Sequence, residues 1–205
     1  MKRSLFTILL SLSGALAVWY GFFSPKEAMV KSNPTVVATV VSPNRTLENF
    51  SLVDSNNKPF TKASLEGHWT LLFFGYSKCP DVCPRTLTTI NDLWDHFPSQ
   101  EKNLEFVFVS LDSKHDRPED LKAFLNRFNP RFNGLTGQEE AIKQLSKNCS
   151  IYSWEGKQPE TGASIIDHSA TLVLVNPKGN IQAFFSPPHK KELIAKDLHT
   201  LIKGS

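Results

Sequence analysis

Two largely apolar runs mark the centre of the fold. Residues 69–74 and 104–111 show almost no polar alternation, which is typical of strands buried on both faces of a parallel sheet. Each run is followed by apolar residues at helical spacing, which predicts one helix beginning near Cys83 and another over residues 121–128. Because crossover helices connect parallel strands, we expect the two runs to belong to the parallel half of a sheet.

Antiparallel elements are predicted on either side of these units. Residues 46–54 alternate loosely before a polar turn at 54–58, which predicts a hairpin leading into the first buried strand. Residues 171–175 and 180–185 flank an Asn-Pro-Lys-Gly turn and predict a second hairpin. The other predicted elements are a helix over residues 137–148, a short strand over 151–154, an exposed loop over 155–163 and a final helix over 190–202. This order predicts an α/β fold of the thioredoxin-like plan, a central mixed sheet flanked by helices.

Two loops of this plan contain residues of interest. Asp116 and Glu119 stand at the spacing of a capping box, so Asp116 is expected to cap the helix over residues 121–128. In a thioredoxin-like plan, the loop before the final hairpin lies against the turn that precedes the first helix. Typical thioredoxins have a cis-proline in that loop, whereas this chain has Asp167 and His168 there. The plan therefore predicts that His168 lies close to the turn near Cys83.

The N-terminal segment has the pattern of an export signal. Lys2 and Arg3 precede an uncharged run over residues 5–23, whose length approaches the ~20 residues that span a bilayer. The aromatic residues at its end, followed by Lys26, are typical of a membrane interface. Residues 15–17 would also suit a signal peptidase, so cleavage is the alternative. We favour a retained transmembrane helix over residues 1–24 in a bacterial inner membrane, with its charged end on the cytoplasmic side and the domain in the periplasm.

Composition limits the remaining choices. A chain of 205 residues has room for one globular domain, here residues 46–205, joined to the anchor by a tether over residues 25–45 in which a short strand at 36–41 is allowed. A hydrophobic content of 40% and a charged content of 21% are ordinary for such a domain. The net charge of +3 without a basic block gives no reason to expect a nucleic-acid partner.

Cys79 and Cys83 lie in the turn between the first buried strand and its helix. Backbone amides and the positive end of the helix dipole favour thiolates at such a position. The spacing of four residues places both sulfurs on one side, which permits a disulfide or the binding of one metal ion by two thiolates. Simple packing of two buried cysteines is the less favoured reading. Cys149 lies on the apolar face of the helix over residues 137–148 and is expected to be a buried, unreactive side chain.

The cysteine turn also resembles a known family. Residues 74–84 read Phe-Gly-Tyr-Ser-Lys-Cys-Pro-Asp-Val-Cys-Pro and resemble the copper-site loop of the Sco/SenC family. Those proteins are membrane-anchored, thioredoxin-like and assist assembly of cytochrome c oxidase. The strand end at 110–116 is similar to the family's Ser-x-Asp-Pro-x-Arg-Asp, with Ser113 in place of proline and His115 in place of arginine. The Asp167-His168 pair matches the family's copper histidine. The resemblance covers residues 46–202.

The resemblance implies a ligand set of Cys79, Cys83 and His168. Two thiolates and one imidazole suit Cu(I) and tolerate Cu(II). Zinc is the alternative ion, although a structural zinc site would need a fourth protein ligand. Asp81 is a candidate oxygen ligand, and Asp167 is a candidate for orienting the loop or tuning the imidazole. The other histidines are each expected to be solvated surface residues: His68, His96, His115, His189 and His199.

Two classes of function follow from this set. The first is a copper metallochaperone that assists assembly of the CuA centre of cytochrome c oxidase, with the CuA-bearing subunit as partner. The second is a membrane-tethered thiol-disulfide oxidoreductase that uses Cys79 and Cys83 as a redox-active pair to reduce the CuA-site cysteines. Peroxide reduction is less favoured, because His168 has no evident role in it. We prefer the chaperone; because a disulfide cannot bind copper, a periplasmic thiol reductant is a further expected partner.

Overall fold

A computed structural model describes residues 37–94, 103–157 and 164–204. The strands are β1 (Ala38–Thr46), β2 (Ser51–Asp54), β3 (Pro59–Thr61), β4 (Trp69–Gly75), β5 (Leu104–Ser110), β6 (Asn133–Thr136), β7 (Ser153–Lys157), β8 (Ser164–His168), β9 (Leu172–Val175) and β10 (Asn180–Phe185). The α-helices are α1 (Val82–Trp94), α2 (Pro118–Asn126), α3 (Glu139–Asn148) and α4 (Lys191–Lys203), and a short 3-10 helix spans Lys62–Leu65.

Eight strands form one mixed sheet in the order β1-β10-β9-β4-β5-β6-β2-β3. β4 and β5 pair in parallel from Trp69 opposite Leu104 to Gly75 opposite Ser110, and β6 extends the parallel half beyond β5. β9 pairs antiparallel with β4, and β10 antiparallel with β9. The predicted mixed sheet flanked by helices is therefore confirmed. β7 and β8 form a separate two-stranded sheet.

The central strand β4 is buried on both faces, which explains its unbroken apolar sequence. Phe73 points into the core on one side of the sheet, with side chains of α1, α2 and α4. Phe74 points into the core on the other side, where α3 packs. Every residue of β4 is buried, and fully burying a side chain of this size stabilises the fold by about 1.5–3 kcal/mol. The strand thereby fixes the position of Gly75, at which the cysteine turn begins.

Some strands were not predicted or were allowed only in part. A short strand at residues 36–41 was allowed within the tether, whereas β1 occupies Ala38–Thr46 and pairs antiparallel with β10. Most β1 side chains are exposed, so backbone pairing rather than an apolar pattern defines this edge strand. β6 was not predicted, since Asn-Gly-Leu-Thr is short and partly polar. Gly134 in β6 lets α2 pack closely, since a Cβ there would lie 2.9 Å from Leu125 Cδ1.

The predicted role of Asp116 as a helix cap is wrong. The residue that precedes α2 in the capping position is Arg117, and Pro118 occupies the first helical position. Asp116 is instead completely buried, and its carboxylate accepts hydrogen bonds from other elements. A buried carboxylate needs internal donors, and these come from the cysteine turn and the end of β5.

The predicted anchor over residues 1–24 lies outside the described residues. Within residues 37–94, 103–157 and 164–204, no helix is long and apolar enough to cross a membrane.

Candidate metal centre

The two cysteines lie at the junction of β4 and α1. Cys83 is in the first turn of the helix and is completely buried, whereas Cys79 precedes the helix and is partly exposed. The backbone N–H of Cys83 donates to Cys79 Sγ at 3.4 Å, and the N–H of Cys79 donates to the carbonyl of Tyr76 at 3.2 Å. The helix terminus therefore offers one of its free amides to a cysteine sulfur, as the sequence predicted.

His168 ends strand β8 and faces the cysteines. Its Nε2 lies 3.5 Å from Cys83 Sγ, and its ring packs against the rings of Phe73 and Tyr76 at centroid distances of 6.1 and 6.3 Å. The sequence predicted a loop here, but pairing with β7 opposite Ser153 makes this segment a strand. Nδ1 lies 3.3 Å from the carbonyl of Ser169. The opposite ring nitrogen, Nε2, faces the sulfurs; when protonated it donates a hydrogen bond to a thiolate, and when deprotonated it offers its lone pair to an ion.

The three side chains form one group of donor atoms. The ligand atoms of Cys79, Cys83 and His168 all lie within 4.8 Å of one another. Thiolate and imidazole ligands lie about 2.0–2.3 Å from a bound metal such as zinc, which requires donors about 4 Å apart around a three-coordinate ion. Small side-chain rotations would therefore close this set on a single ion. Both cysteines are free thiols in the structure.

The two thiols differ in acidity. A hydrogen bond from the Cys83 thiol is the largest of the effects that lower the pKa of Cys79, and hydrogen bonds from His168 and from backbone amides add to it. The same hydrogen bond, followed by burial, raises the pKa of Cys83. The reduced pair therefore favours the proton on the buried Cys83 sulfur and the thiolate on the partly exposed Cys79 sulfur. Binding of a metal by both sulfurs would release the Cys83 proton.

Gly75 is a site residue that the sequence analysis did not recognise. A Cβ at this position would lie 2.7 Å from Cys83 Sγ and 3.0 Å from the Phe108 ring. Only a residue without a side chain leaves room for the sulfur at the end of β4. The sequence contained this signal as the glycine that ends the apolar run, but the contact lies between elements and is not visible in the pattern.

The remaining candidates are not part of the donor group. The Asp81 carboxylate is exposed and pairs with Arg85 at 2.9 Å, and it is not in the donor group. Asp167 is exposed on β8, on the opposite face of the strand from its neighbour His168. His68, His189 and His199 are partly buried, contrary to the expectation of surface residues. The Nε2–H of His189 donates to the carbonyl of Ala170 at 2.6 Å. This bond ties the segment after His168 to the start of α4.

Comparison with known proteins places this fold and this donor group in one family. The family model described as SCO1/SenC matches residues 39–203. The chain belongs to the SCO1/SenC family. The match includes all three residues of the donor group and nearly all of the described structure. It confirms the family resemblance of the cysteine turn.

The relatives of this SCO1/SenC protein include structures with copper bound. It is 31% identical to Bradyrhizobium japonicum ScoI with copper bound, over 76% of this chain and 99% of that one, with a TM-score of 0.68. It is 27% identical to Arabidopsis thaliana ScoI with copper bound, over 77% and 98% of the two chains, with a TM-score of 0.72. Danio rerio protein SCO2 homolog, mitochondrial, is 29% identical over 99% of this chain and 73% of its own. The thioredoxin-like fold is confirmed by these structures.

Proposed function

We propose that this domain binds one copper ion through Cys79, Cys83 and His168 and delivers it to the CuA-bearing subunit of cytochrome c oxidase. The observation that carries the proposal is the clustering of the three donor atoms within 4.8 Å. The copper bound in structures of family members supports the choice of ion. The delivery step rests on the family resemblance and on the exposure of the site.

The donor chemistry favours copper over zinc. Two sulfurs and one imidazole nitrogen are soft and borderline donors that suit Cu(I) and tolerate Cu(II). In the described part of the chain, no fourth histidine, cysteine or carboxylate belongs to the group, whereas structural zinc sites have four protein ligands. A three-donor set also leaves room for a ligand from another protein. This vacancy is what a transfer between proteins requires.

The position of the site suits ligand exchange. Cys83 is buried, whereas Cys79 and His168 are partly exposed, and Pro80 and Asp81 beside Cys79 are exposed. A cysteine of an acceptor protein could therefore approach the ion from the side of Cys79 while the buried Cys83 keeps its place. A reductase would use the same two sulfurs, but it has no need for an imidazole 3.5 Å from Cys83 Sγ. This contact favours the chaperone over the oxidoreductase.

The location and the other partners are part of the proposal. Residues 1–24 would anchor the protein in a bacterial inner membrane, and the domain would face the periplasm, as the uncharged run over residues 5–23 after Lys2 and Arg3 suggests. Cysteine pairs tend to oxidise in that compartment. A thiol reductant would then keep Cys79 and Cys83 available for copper.

The function can be tested in cells in which assembly of the oxidase depends on this protein. We expect full-length His168→Ala to leave the oxidase inactive at limiting copper, because the site loses one of its three donors, with added copper restoring part of the activity. The matched control is His115→Ala, which removes an exposed histidine paired with Asp112 and should leave oxidase activity unchanged. Full oxidase activity of His168→Ala at limiting copper would contradict copper delivery and favour the reductase.

A substitution at Gly75 should damage the centre without touching a ligand. We expect Gly75→Ala to lower copper affinity by about tenfold or more, the effect typical of losing a group that orients a metal ligand, because the new methyl group must displace Cys83 Sγ. Overpacking should also lower the free energy of unfolding by about 1–3 kcal/mol. Copper competition titrations and urea unfolding measure the two effects.

Gly134→Ala is the matched control for this substitution. Its methyl group would lie 2.9 Å from Leu125 Cδ1, a similar clash at a glycine on a neighbouring buried strand. We expect a comparable loss of stability with unchanged copper affinity. Equal copper affinities of the two variants would show that Gly75 does not shape the metal site.

A further inference from the structure

A completely buried carboxylate joins the cysteine turn to the end of β5. Asp116 accepts a hydrogen bond from the backbone N–H of Ser77 at 3.0 Å and a second from the Ser77 hydroxyl. The Ser110 hydroxyl donates a third hydrogen bond to it at 2.7 Å. Ser77 lies in the loop that leads to Cys79, and Ser110 is the last residue of β5. The carboxylate therefore connects a loop of the metal centre with the core of the sheet.

Asp116 is itself firmly placed. Its backbone N–H donates to the carbonyl of Asp112 at 2.8 Å, and the N–H of Asp112 donates to the Ser110 hydroxyl at 3.0 Å. These bonds close a compact turn directly after β5, the strand that pairs in parallel with β4. These hydrogen bonds tie the turn to the end of β5. A group that binds to Asp116 is therefore held at a fixed place relative to β4 and β5.

Burial of the Asp116 carboxylate costs free energy unless hydrogen bonds compensate for it. A carboxylate removed from water is tolerated only where hydrogen bonds replace its hydration, and two of the three donors described here come from one residue of the cysteine turn. The Ser77 backbone amide would lose its partner if the carboxylate were absent. The Cys79 N–H donates to the Tyr76 carbonyl and closes a turn that contains Ser77. The path of residues 76–79 is therefore fixed at its centre by Asp116.

We propose that Asp116 is a positioning residue of the copper site. Its carboxylate holds Ser77 so that the Cys79 sulfur stays within binding distance of Cys83 and His168. This inference rests on the proposed copper-binding function and deepens it, because it assigns the geometry of the partly exposed ligand to a buried group. The sequence suggested only a helix cap at this position.

The test compares variants that each remove part of this network. We expect Asp116→Asn and Ser77→Ala to lower copper affinity of the purified full-length protein by about tenfold or more, since losing a group that orients a ligand typically costs this much. Ser110→Ala removes one hydroxyl donor to the same carboxylate, but on the side of the sheet, and should lower copper affinity much less. Affinity is measured by competition with a Cu(I) chelator, and the thiolate-to-Cu(II) absorption bands report the ligand geometry.

Asp197→Asn is the control for loss of a buried carboxylate. Asp197 is also buried and accepts two backbone hydrogen bonds, from Val37 and Ala38 at 2.6 and 2.9 Å, which tie β1 to α4. A purely structural role of Asp116 predicts that both carboxylate variants lower stability in urea and that neither changes the copper affinity or the absorption bands. A positioning role predicts that Asp116→Asn changes both the copper affinity and the absorption bands, whereas Asp197→Asn changes neither.

The outcomes separate this inference from the proposed function. If the unaltered protein binds no copper, the proposed function fails before the variants are compared. If it binds copper but Asp116→Asn and Ser77→Ala bind it as tightly as Ser110→Ala and Asp197→Asn do, the positioning role is overturned and the copper site stands. If Asp116→Asn fails to fold, the copper affinity of Ser77→Ala tests the positioning role. This variant removes the Ser77 hydroxyl and leaves the Asp116 carboxylate and its hydrogen bond from the Ser77 backbone N–H in place.

Discussion

Replacement of any one of Cys79, Cys83 and His168 is expected to nearly abolish copper binding. Among the residues that the structure describes, each supplies one of three clustered donor atoms, so its loss leaves two. The effect should exceed the roughly 10–100-fold loss that is typical for residues that merely orient a ligand. The measurement is a titration of reduced Cys79→Ser, Cys83→Ser and His168→Ala with Cu(I) in competition with a chelator. A variant that still binds one equivalent tightly would remove that residue from the ligand set.

The three variants should differ in stability. Cys79 and His168 lie at the edge of the core, so their replacement should change the free energy of unfolding little. Cys83 is completely buried in the core cluster beside Leu87, and its replacement by serine adds a hydroxyl that must find a partner. We expect Cys83→Ser to lose about 1–3 kcal/mol of stability, as is typical for a buried unsatisfied hydroxyl, and still to fold. Circular dichroism during urea unfolding separates this loss from the loss of copper.

Cys149→Ala is the matched control for a lost thiol. Cys149 is completely buried with Ile142 and Leu145 on the other side of the sheet, which confirms that it packs in the core. Burial raises the pKa of its thiol to about 12, so it is unreactive at neutral pH. We expect its replacement to cost about 1–2 kcal/mol of stability and to leave copper binding unchanged. Loss of copper by the folded variant would contradict this role.

The parts of the fold that could be predicted are those with a strong local pattern. β4 is buried on both faces and therefore has an unbroken apolar run, and α1 is buried on one face and therefore has apolar residues at helical spacing. Both patterns are visible in a single sequence. β1 was allowed only in part, as a short strand at residues 36–41, and β8 was taken as a loop, because each is held by backbone pairing with one neighbour. Such edge and hairpin strands carry no apolar run.

The same division holds at the site. The cysteine pair is local, and its position at a helix start was predictable from spacing. His168 is 85 residues from Cys83, so only the fold plan and the family resemblance could bring it into the site. Gly75 was not recognised and Asp116 was misread, because the roles of both depend on contacts between elements. A glycine at a strand end resembles an ordinary turn, and an aspartate before a helix resembles a cap, until the neighbouring side chain is known.

Oxidation of the cysteine pair is expected to prevent copper binding almost completely. A disulfide between Cys79 and Cys83 would place the sulfurs about 2.0 Å apart and use the electron pairs that would otherwise bind the ion. The sulfurs already lie within 4.8 Å, and the spacing of one helical turn permits the bond. Protein that has been oxidised and then separated from the oxidant should bind almost no copper. Reduction, followed by removal of the reductant, should restore the binding of one equivalent of copper. Tight binding of one copper by fully oxidised protein would contradict the ligand set.

Thiol labelling of the reduced domain tests the same competition from the side of the protein. Cys79 should react first with an alkylating agent, because it is partly exposed and its hydrogen bonds lower the pKa of its thiol. Cys83 should react slowly, since it is buried and the pKa of its thiol is raised. Because binding requires the thiolate of Cys79, one equivalent of copper should slow its labelling strongly, as mass spectrometry of the labelled peptide would measure. If copper left the rate of Cys79 labelling unchanged while the protein bound one equivalent, the ion would be held elsewhere. In that case copper binding and disulfide formation would be independent. Because both use the sulfurs of Cys79 and Cys83, we expect each to prevent the other.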